Sequence, residues 1–239
     1  MLKLRLVCWN IGSLLGDLMG NAPQVEAALE KFQPDVICLQ EFPDVPAFLQ
    51  RLKQNAGYAH HLFCKTSESH VGENVDMGIC ILSKYPLGEG EILHLDKPVE
   101  RIFYKGKEEF WHDKYFLMAQ VNCGEKEFYI VTGHSFPFYR YGLKDSEHGF
   151  VFRQIDDWLA QHLSGKEYII AADFNSADPL PFMPFAQADH YDIFAGKPTR
   201  PSGRKTDILA IHRDVQLLEA INTPWNTDHH LIGAQILMK

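Results

Sequence analysis

The chain has 239 residues, 46% of them hydrophobic, enough for one large domain with a sizeable core. Its formal net charge of −8 excludes a protein that holds nucleic acid or acidic membrane through its whole surface, while leaving room for a local cationic groove. The five cysteines (Cys8, Cys38, Cys64, Cys80 and Cys123) are odd in number and lack CxxC spacing, which reads as reduced core thiols in a reducing compartment. The expectation is a cytoplasmic protein: the first residues lack a signal-peptide apolar region, and no apolar run approaches the ~20 residues of a membrane helix. No repeat or low-complexity linker divides the sequence, so 1–239 reads as a single domain, and no obligate protein partner is implied.

In chain order, residues 3–9 alternate like a strand and end at Trp9-Asn10-Ile11-Gly12. A helix is expected over 22–32, with Asn21 as N-cap and Pro23 in its first turn. The run Asp35–Gln40 reads as a buried strand ending at Glu41, and a short helix follows over 44–52. Strands are expected over 58–64 and 77–82, the second stopped by Ser83-Lys84-Tyr85-Pro86. Two more, 115–122 and 126–132, flank a hairpin turn at Cys123-Gly124-Glu125. Residues 150–163 form the clearest amphipathic helix, with Phe150, Ile155, Trp158 and Leu159 sharing a face. Strands over 168–172, 207–211, 215–219 and 231–237 complete the pattern. Strands outnumber helices and several pair as hairpins, so the fold class is α/β (α+β), with two packed mixed β-sheets and helices outside them.

Polar residues cluster at the ends of these strands. Asn10 ends the first and Glu41 the second; His134 follows Val131-Thr132-Gly133, and Asp173 and Asn175 follow Ile169–Ala172. Asp207 opens a later strand, and Asp228-His229 precedes the last. Singly, each has an ordinary reading: Asn10 as a turn cap, Glu41 as a solvated strand end, Asp173-Phe174-Asn175 as an Asx turn. Together they match the way sheet proteins build sites, on loops positioned by rigid strands.

Taken in order, these segments resemble the endonuclease/exonuclease/phosphatase superfamily, the deoxyribonuclease-I-like phosphoesterases. Trp9-Asn10-Ile11 resembles its first asparagine motif and Leu39-Gln40-Glu41 its metal-binding LQE motif. The segment Gly78–Pro86, Thr132-Gly133-His134 and Ala172-Asp173-Phe174-Asn175 are similar to three further motifs. Thr206-Asp207-Ile208-Leu209 and Thr227-Asp228-His229 are similar to the last two. Ala172, Ile208 and Thr227 depart from the usual glycine, aromatic and serine, and the second of these bears on packing beside Asp207.

The resemblance implies a four-layer sandwich and a Mg²⁺-dependent phosphoesterase, with Mn²⁺ as an alternative cofactor. It assigns Glu41 as the main metal ligand, supported by Asn10 and with Asp228 contributing. A hard cation that keeps most of its waters suits such a sparse oxygen set. His229 would contact the scissile phosphate or act as base, oriented by Asp207. Asp173 would deprotonate the attacking water or protonate the leaving group, with Asn175 positioning the water and His134 bonding a phosphate oxygen. One-metal and two-metal schemes both remain open.

Outside the motifs, His60-His61 and His229-His230 invite a zinc reading, but neither HxH nor HExxH spacing is present. The aromatic loop Phe136–Tyr141 suits either stacking on a base or folding over the core. Lys197, Arg200, Arg204, Lys205 and Arg213 crowd one stretch in which Asp207 is the sole acid. Arg140, Arg204 and Trp225 are therefore the candidate substrate contacts, cations for a phosphate and a ring for a base or sugar. A compact phosphoester, or a short or single-stranded nucleic acid, is the expected substrate. The alternatives are an abasic-site endonuclease acting on duplex DNA and a non-catalytic binding protein on the same fold.

Overall fold

The computed structural model describes residues 1–12, 18–68, 75–225 and 227–239. In chain order the elements are β1 (Leu2–Asn10), α1 (Leu18–Phe32), β2 (Val36–Pro43), α2 (Pro46–Ala56), β3 (His60–Glu68), β4 (Asp76–Ser83) and β5 (Leu87–His94). A small hairpin, β6 (Ile102–Tyr104) and β7 (Lys107–Glu109), precedes β8 (Tyr115–Cys123), β9 (Lys126–Gly133), α3 (Gly149–Leu163) and β10 (Tyr168–Asp173). Then come α4 (Pro184–Asp189), β11 (His190–Asp192), β12 (Asp207–His212), β13 (Gln216–Pro224) and β14 (His230–Met238).

The first six-stranded sheet runs β13-β14-β1-β2-β4-β3 and the second β11-β12-β10-β9-β8-β5. Each has one parallel pair at its centre, β1 with β2 and β9 with β10, and antiparallel neighbours outside it. Burial on both faces explains why these strands read as near-continuous apolar runs. Along β1, Leu4, Leu6 and Cys8 enter the core between the sheets, while Val7 and Trp9 join the cluster that holds Val25, Leu29, Phe48 and Leu52 of α1 and α2. Along β10, Ile169 and Ala171 face the inter-sheet core, and Tyr168, Ile170 and Ala172 meet Phe152, Ile155 and Leu159 of α3. The result is the expected four layers, with two packed mixed sheets flanked by helices. Among the described residues, no helix is long and apolar enough to cross a membrane.

The inward-facing rows do not stay apolar to their ends. The β1 row that carries Leu6 and Cys8 continues to Asn10, the β9 row of Phe128 and Ile130 continues to Thr132 and His134, and the β10 row continues to Asp173. Asp207 lies on the same row of β12 as Leu209 and Ile211. One edge of the apolar core is therefore capped by polar groups from both sheets. Just beneath them, Gln40 is fully buried; its Nε2 donates to Thr132 Oγ1 at 3.0 Å, and its Oε1 accepts from Cys8 Sγ at 3.7 Å.

Some local expectations differ from the structure. The first helix already includes Leu18, so Asn21 lies inside it and is not its N-cap; its Oδ1 accepts from Gln24 Nε2 at 3.0 Å. In sequence, Leu18 adds one turn to the Ala22–Val25–Leu29 spacing, which extends the helix past Pro23. The second helix begins at Pro46 and runs on to Ala56, where Gly57 (φ 74°) donates to Lys53 O and closes it. β5, β6, β7, β11 and α4 have no counterpart in the sequence reading. β5 is an edge strand whose residues are mostly exposed, with Gly88 and Gly90 resembling a turn. The other four are too short to show a period.

Thr132→Val is expected to remove the hydroxyl acceptor of the Gln40 amide, leaving Nε2 only the weaker Cys8 Sγ contact at 3.6 Å in the buried interface between the sheets. The expected loss is about 1–3 kcal/mol of unfolding free energy. Urea denaturation should show it as a lower midpoint with an unchanged slope.

Candidate active site

The polar cap opens into a cleft of about 370 Å³, bordered by Glu41, Lys114, His134, Asp173, Arg200 and His229 among others. Glu41 is the one acid whose strand position alone would misdirect it, because Ile37 and Leu39 of β2 face the α1–α2 layer. A β-bulge between Leu39 and Phe42 shifts the register against β4, and Glu41 takes a left-handed backbone (φ 52°) within it. The bulge turns the carboxylate into the cleft, where Oε1 accepts from Asn10 Nδ2 at 3.1 Å. The same Nδ2 donates to Asp173 Oδ2 at 3.0 Å, tying the ends of both sheets together. Asn10 Oδ1 in turn accepts from Gly12 N at 3.0 Å. A Cβ at Gly12 would collide with Glu41 Oε2, so only glycine leaves room for the carboxylate.

Asp173 ends β10 fully buried, and its Oδ1 accepts from the backbone N of Asn175 at 2.8 Å. Asn175 also has a left-handed backbone (φ 50°), which asparagine tolerates, and its Nδ2 donates to Ser135 O at 3.0 Å. Asp207 faces Asp173 in the β10–β12 register. It accepts from Thr206 Oγ1 at 3.0 Å and from His229 Nδ1 at 3.0 Å. The loop that delivers His229 is anchored by Thr227, whose Oγ1 accepts from Trp9 Nε1 at 3.2 Å and donates to His229 O. His229 Nε2 lies 3.7 Å from Asp173 Oδ2. His134 Nε2 lies 3.6 Å from the same oxygen and 3.9 Å from Glu41 Oε1.

Packing so many ionisable groups in a dry edge shifts their proton affinities. Burial, then the Asp207 charge, push Asp173 up to about 6, with His229, Asn10 and Asn175 opposing. Burial alone would lower His229, but the Asp207 and Asp173 carboxylates outweigh it and raise the imidazole to about 9. Burial likewise works to raise Asp207, yet the His229 charge and the hydrogen bonds from His229, Thr199 and Thr206 hold it below the usual carboxylate value. Burial and then Lys114 push His134 well below 6.5, so its ring is neutral at physiological pH. The site thus pairs an imidazolium, His229, with a carboxylate, Asp173, that titrates near neutrality. Ligand atoms of Asp173, Asp207 and His229 lie within 4.8 Å of one another, close enough for a cation. Both nitrogens of His229, however, face carboxylates, an arrangement that suits a shared proton.

Of the residues singled out from sequence, Asn10, Glu41, His134, Asp173, Asn175, Asp207 and His229 meet in or directly behind this cleft. Asp228 and Arg140 are on its border, Asp228 held by Arg200 through both its carboxylate and its backbone oxygen. Arg204 sits beyond, its guanidinium 4.3 Å from the centre of the Tyr139 ring. Trp225 is elsewhere: it packs edge-on against Phe32 of α1 at 5.9 Å and donates to Gln24 O at 3.0 Å, so it does not border the cleft. A large apolar ring next to the α1 layer gains more from burial there than from a wet rim. The loop 136–141 divides its rings, with Phe136 and Phe138 buried in the core and Tyr139 and Tyr141 facing the cleft.

Lys114 and Arg200 complete the cleft without having been picked out as site residues. Lys114 Nζ lies 3.3 Å from His134 Nδ1, and burial lowers its proton affinity against the pull of Glu41 and Asp173. Its signal was available, since the hairpin register Cys123↔Lys126 continues to Phe116↔Gly133 and so carries the start of β8 to His134. Arg200 had no comparable signal, because its reach to Asp228 and Tyr139 depends on an irregular loop.

The left-handed backbone at Glu41 should make Glu41→Gly about 1 kcal/mol more stable than Glu41→Ala in thermal or urea unfolding, although both lose the carboxylate. For His229, the raised proton affinity means that its charge pairing stabilises the fold fully below pH 6.5 and is lost as pH climbs through about 9. Asp207→Asn should bring the His229 titration well below 9, measured from the ring Cε1–H resonance. An unchanged midpoint would mean that Asp207 does not set it.

The family model for the Endonuclease/Exonuclease/phosphatase family matches residues 7–231. No curated protein matches the chain. Among solved structures, an endonuclease/exonuclease/phosphatase from Beutenbergia cavernae DSM 12333 is 18% identical with a TM-score of 0.72, covering 99% of this chain and 72% of that one. The human Nocturnin catalytic domain with bound sulfate anion is 17% identical with a TM-score of 0.68, over 99% and 94% of the two chains. D. rerio TDP2 complexed with single strand DNA product is 19% identical with a TM-score of 0.66, over 99% of each. At these identities the likeness speaks to the fold, while the family match spans the strands that build the cleft. The chain belongs to the endonuclease/exonuclease/phosphatase family, whose members are largely hydrolytic phosphoesterases.

Proposed function

We propose that this protein is a Mg²⁺-dependent phosphoesterase, with Mn²⁺ able to substitute, acting on a small phosphoester or a short or single-stranded nucleic acid. The observation that carries the reading is the convergence of Glu41, Asn10 and Asp173 with the Asp207–His229 pair in one cleft. The donor set fits a hard cation: the carboxylates of Glu41 and Asp228 border the cleft, and Gly12 leaves the room that the Glu41 carboxylate occupies there. When bound, such a cation neutralises charge on a phosphate oxygen.

The remaining steps belong to the chain's own side chains. Asp173 accepts a proton from the attacking water, which Asn175 orients. The water oxygen bonds to phosphorus as the ester P–O bond breaks, the leaving oxygen takes a proton from solvent to give an alcohol, and Asp173 returns its proton to solvent. His229, charged and held by Asp207, faces the phosphate as negative charge builds, and Lys114 and neutral His134 donate to its oxygens. Arg140, packed 4.8 Å from the centre of the Tyr104 ring, meets the substrate at the rim.

The cations of the 197–213 stretch favour a compact or single-stranded substrate over a duplex. Lys205 is spent on Asp192 at 2.7 Å, Arg200 on Asp228, and Arg213 on carbonyls near α4, so they do not form one stripe for duplex phosphates. The TDP2 relative solved with single strand DNA product supports the same choice. The five free thiols suit a reducing, cytoplasmic setting.

The test is turnover of a phosphoester panel by chelator-treated protein before and after Mg²⁺ is added. Activity should be absent with chelator and return with Mg²⁺, and His229→Ala should lower it on the order of 10²-fold or more. Full activity in excess chelator would overturn the metal-dependent reading.

A further inference from the structure

Next to the cleft lies a second and larger cavity of about 630 Å³. Tyr139 and Asn175 border both, so the two join around the Tyr139 ring. Phe138 and Leu143 give the second cavity an apolar wall. Asp145 also lines it, accepting from Ser176 Oγ and from the backbone N of Ser146. Two cations line it as well: Arg204, whose guanidinium lies over the Tyr139 ring at 4.3 Å, and Lys197, whose Nζ is 6.0 Å from the Phe194 ring centre. Among the described residues neither cation has a carboxylate partner, in contrast to the neighbouring Lys205 and Arg200. Beside Asn175 the cavity thus combines an aromatic side chain, a carboxylate with a hydroxyl, and two cations without a carboxylate partner. Each matches one part of a nucleotide: rings accept a base or sugar face, carboxylates accept hydroxyl protons, and a guanidinium meets a phosphate.

We propose that this cavity is a subsite for the nucleotide unit adjoining the scissile phosphate, with the exposed Tyr139 ring meeting its base or sugar and Arg204 and Lys197 binding the next phosphate along the strand. The proposal rests on the phosphoesterase reading and narrows it, to single-stranded nucleic acid carrying a phosphate beyond the one that is cleaved. Tyr139 acts here as the divider between the two phosphates. Its hydroxyl accepts from Arg200 Nη1 at 2.8 Å, and Arg200 also holds Asp228, so the divider is braced from the catalytic side.

The experiment compares three dinucleotide phosphodiesters with Mg²⁺ present: unphosphorylated, 5′-phosphorylated and 3′-phosphorylated. One phosphorylated form should exceed the plain dinucleotide in kcat/KM by about tenfold, mostly through KM. The Lys197→Ala/Arg204→Ala double variant should bring that preference to near unity. Equal turnover of all three by the wild type, or a preference that survives in the double variant, would overturn the subsite. Calorimetric binding of the corresponding uncleavable phosphorothioate dinucleotides to metal-free protein separates this outcome from failure of the phosphoesterase reading. If no ester is turned over, a Kd about tenfold tighter with the terminal phosphate, abolished in the double variant, still supports the subsite. Equal Kd values with and without that phosphate would reject it.

Discussion

One side-chain amide, that of Asn10, reaches from the end of β1 to a carboxylate on each sheet, Glu41 on the first and Asp173 on the second. Its position follows from the alternation that buries Leu4, Leu6 and Cys8, so the core that holds the sheets together also aims the amide. Sheets that pack face to face must exclude water between them, yet the edge of that interface has to meet solvent somewhere. Here it does so through a graded sequence, from aliphatic side chains to the Cys8–Gln40–Thr132 hydrogen bonds and then to charged groups. The polar groups of the cleft are consequently backed by close-packed core, and their positions inherit its rigidity.

The same geometry sets the electrostatics. Two buried aspartates close enough to share one histidine cannot both be ordinary carboxylates. The structure resolves the conflict asymmetrically, because Asp207 takes the Nδ1 hydrogen bond and a threonine hydroxyl while Asp173 keeps the weaker contact. Asp207 therefore remains ionised, and the proton affinity of the cluster is concentrated on His229 and Asp173. On the far side burial, reinforced by the Lys114 charge, keeps His134 neutral.

Much of this was legible in sequence because strand periodicity is short and the core has no polar slack. A row such as Ile169, Ala171, Asp173 announces that a polar group sits on a buried face, and four such rows meeting at one edge are hard to attribute to turns. Legibility failed where position depends on something other than the row. Glu41 is aimed by a bulge, Arg200 by an irregular loop, and Trp225 by its attraction to Phe32 across α1. Lys114 is an intermediate case, recoverable by counting back along a hairpin whose turn was already evident. The reach of α1 back to Leu18 is not legible because asparagine and proline signal a start more strongly than one further apolar turn extends it.

The order of strands has a consequence for how the molecule is assembled. Every strand of the second sheet comes from residues between Leu87 and His212, whereas the first sheet joins β1–β4 to β13–β14 across that whole interval. The second sheet is therefore an insertion that interrupts the first, and β1 waits for its antiparallel neighbour, which pairs Leu2 with Met238 and Cys8 with Ile232. Such distant pairing carries a loop-closure penalty that is repaid late in folding. His229, on the threshold of β14, enters the cleft with that final pairing. A chain emerging from synthesis can thus form the Asp173–Asp207 half of the cluster before it has the imidazole, and the two acids face each other without the His229 charge between them until the last strand docks.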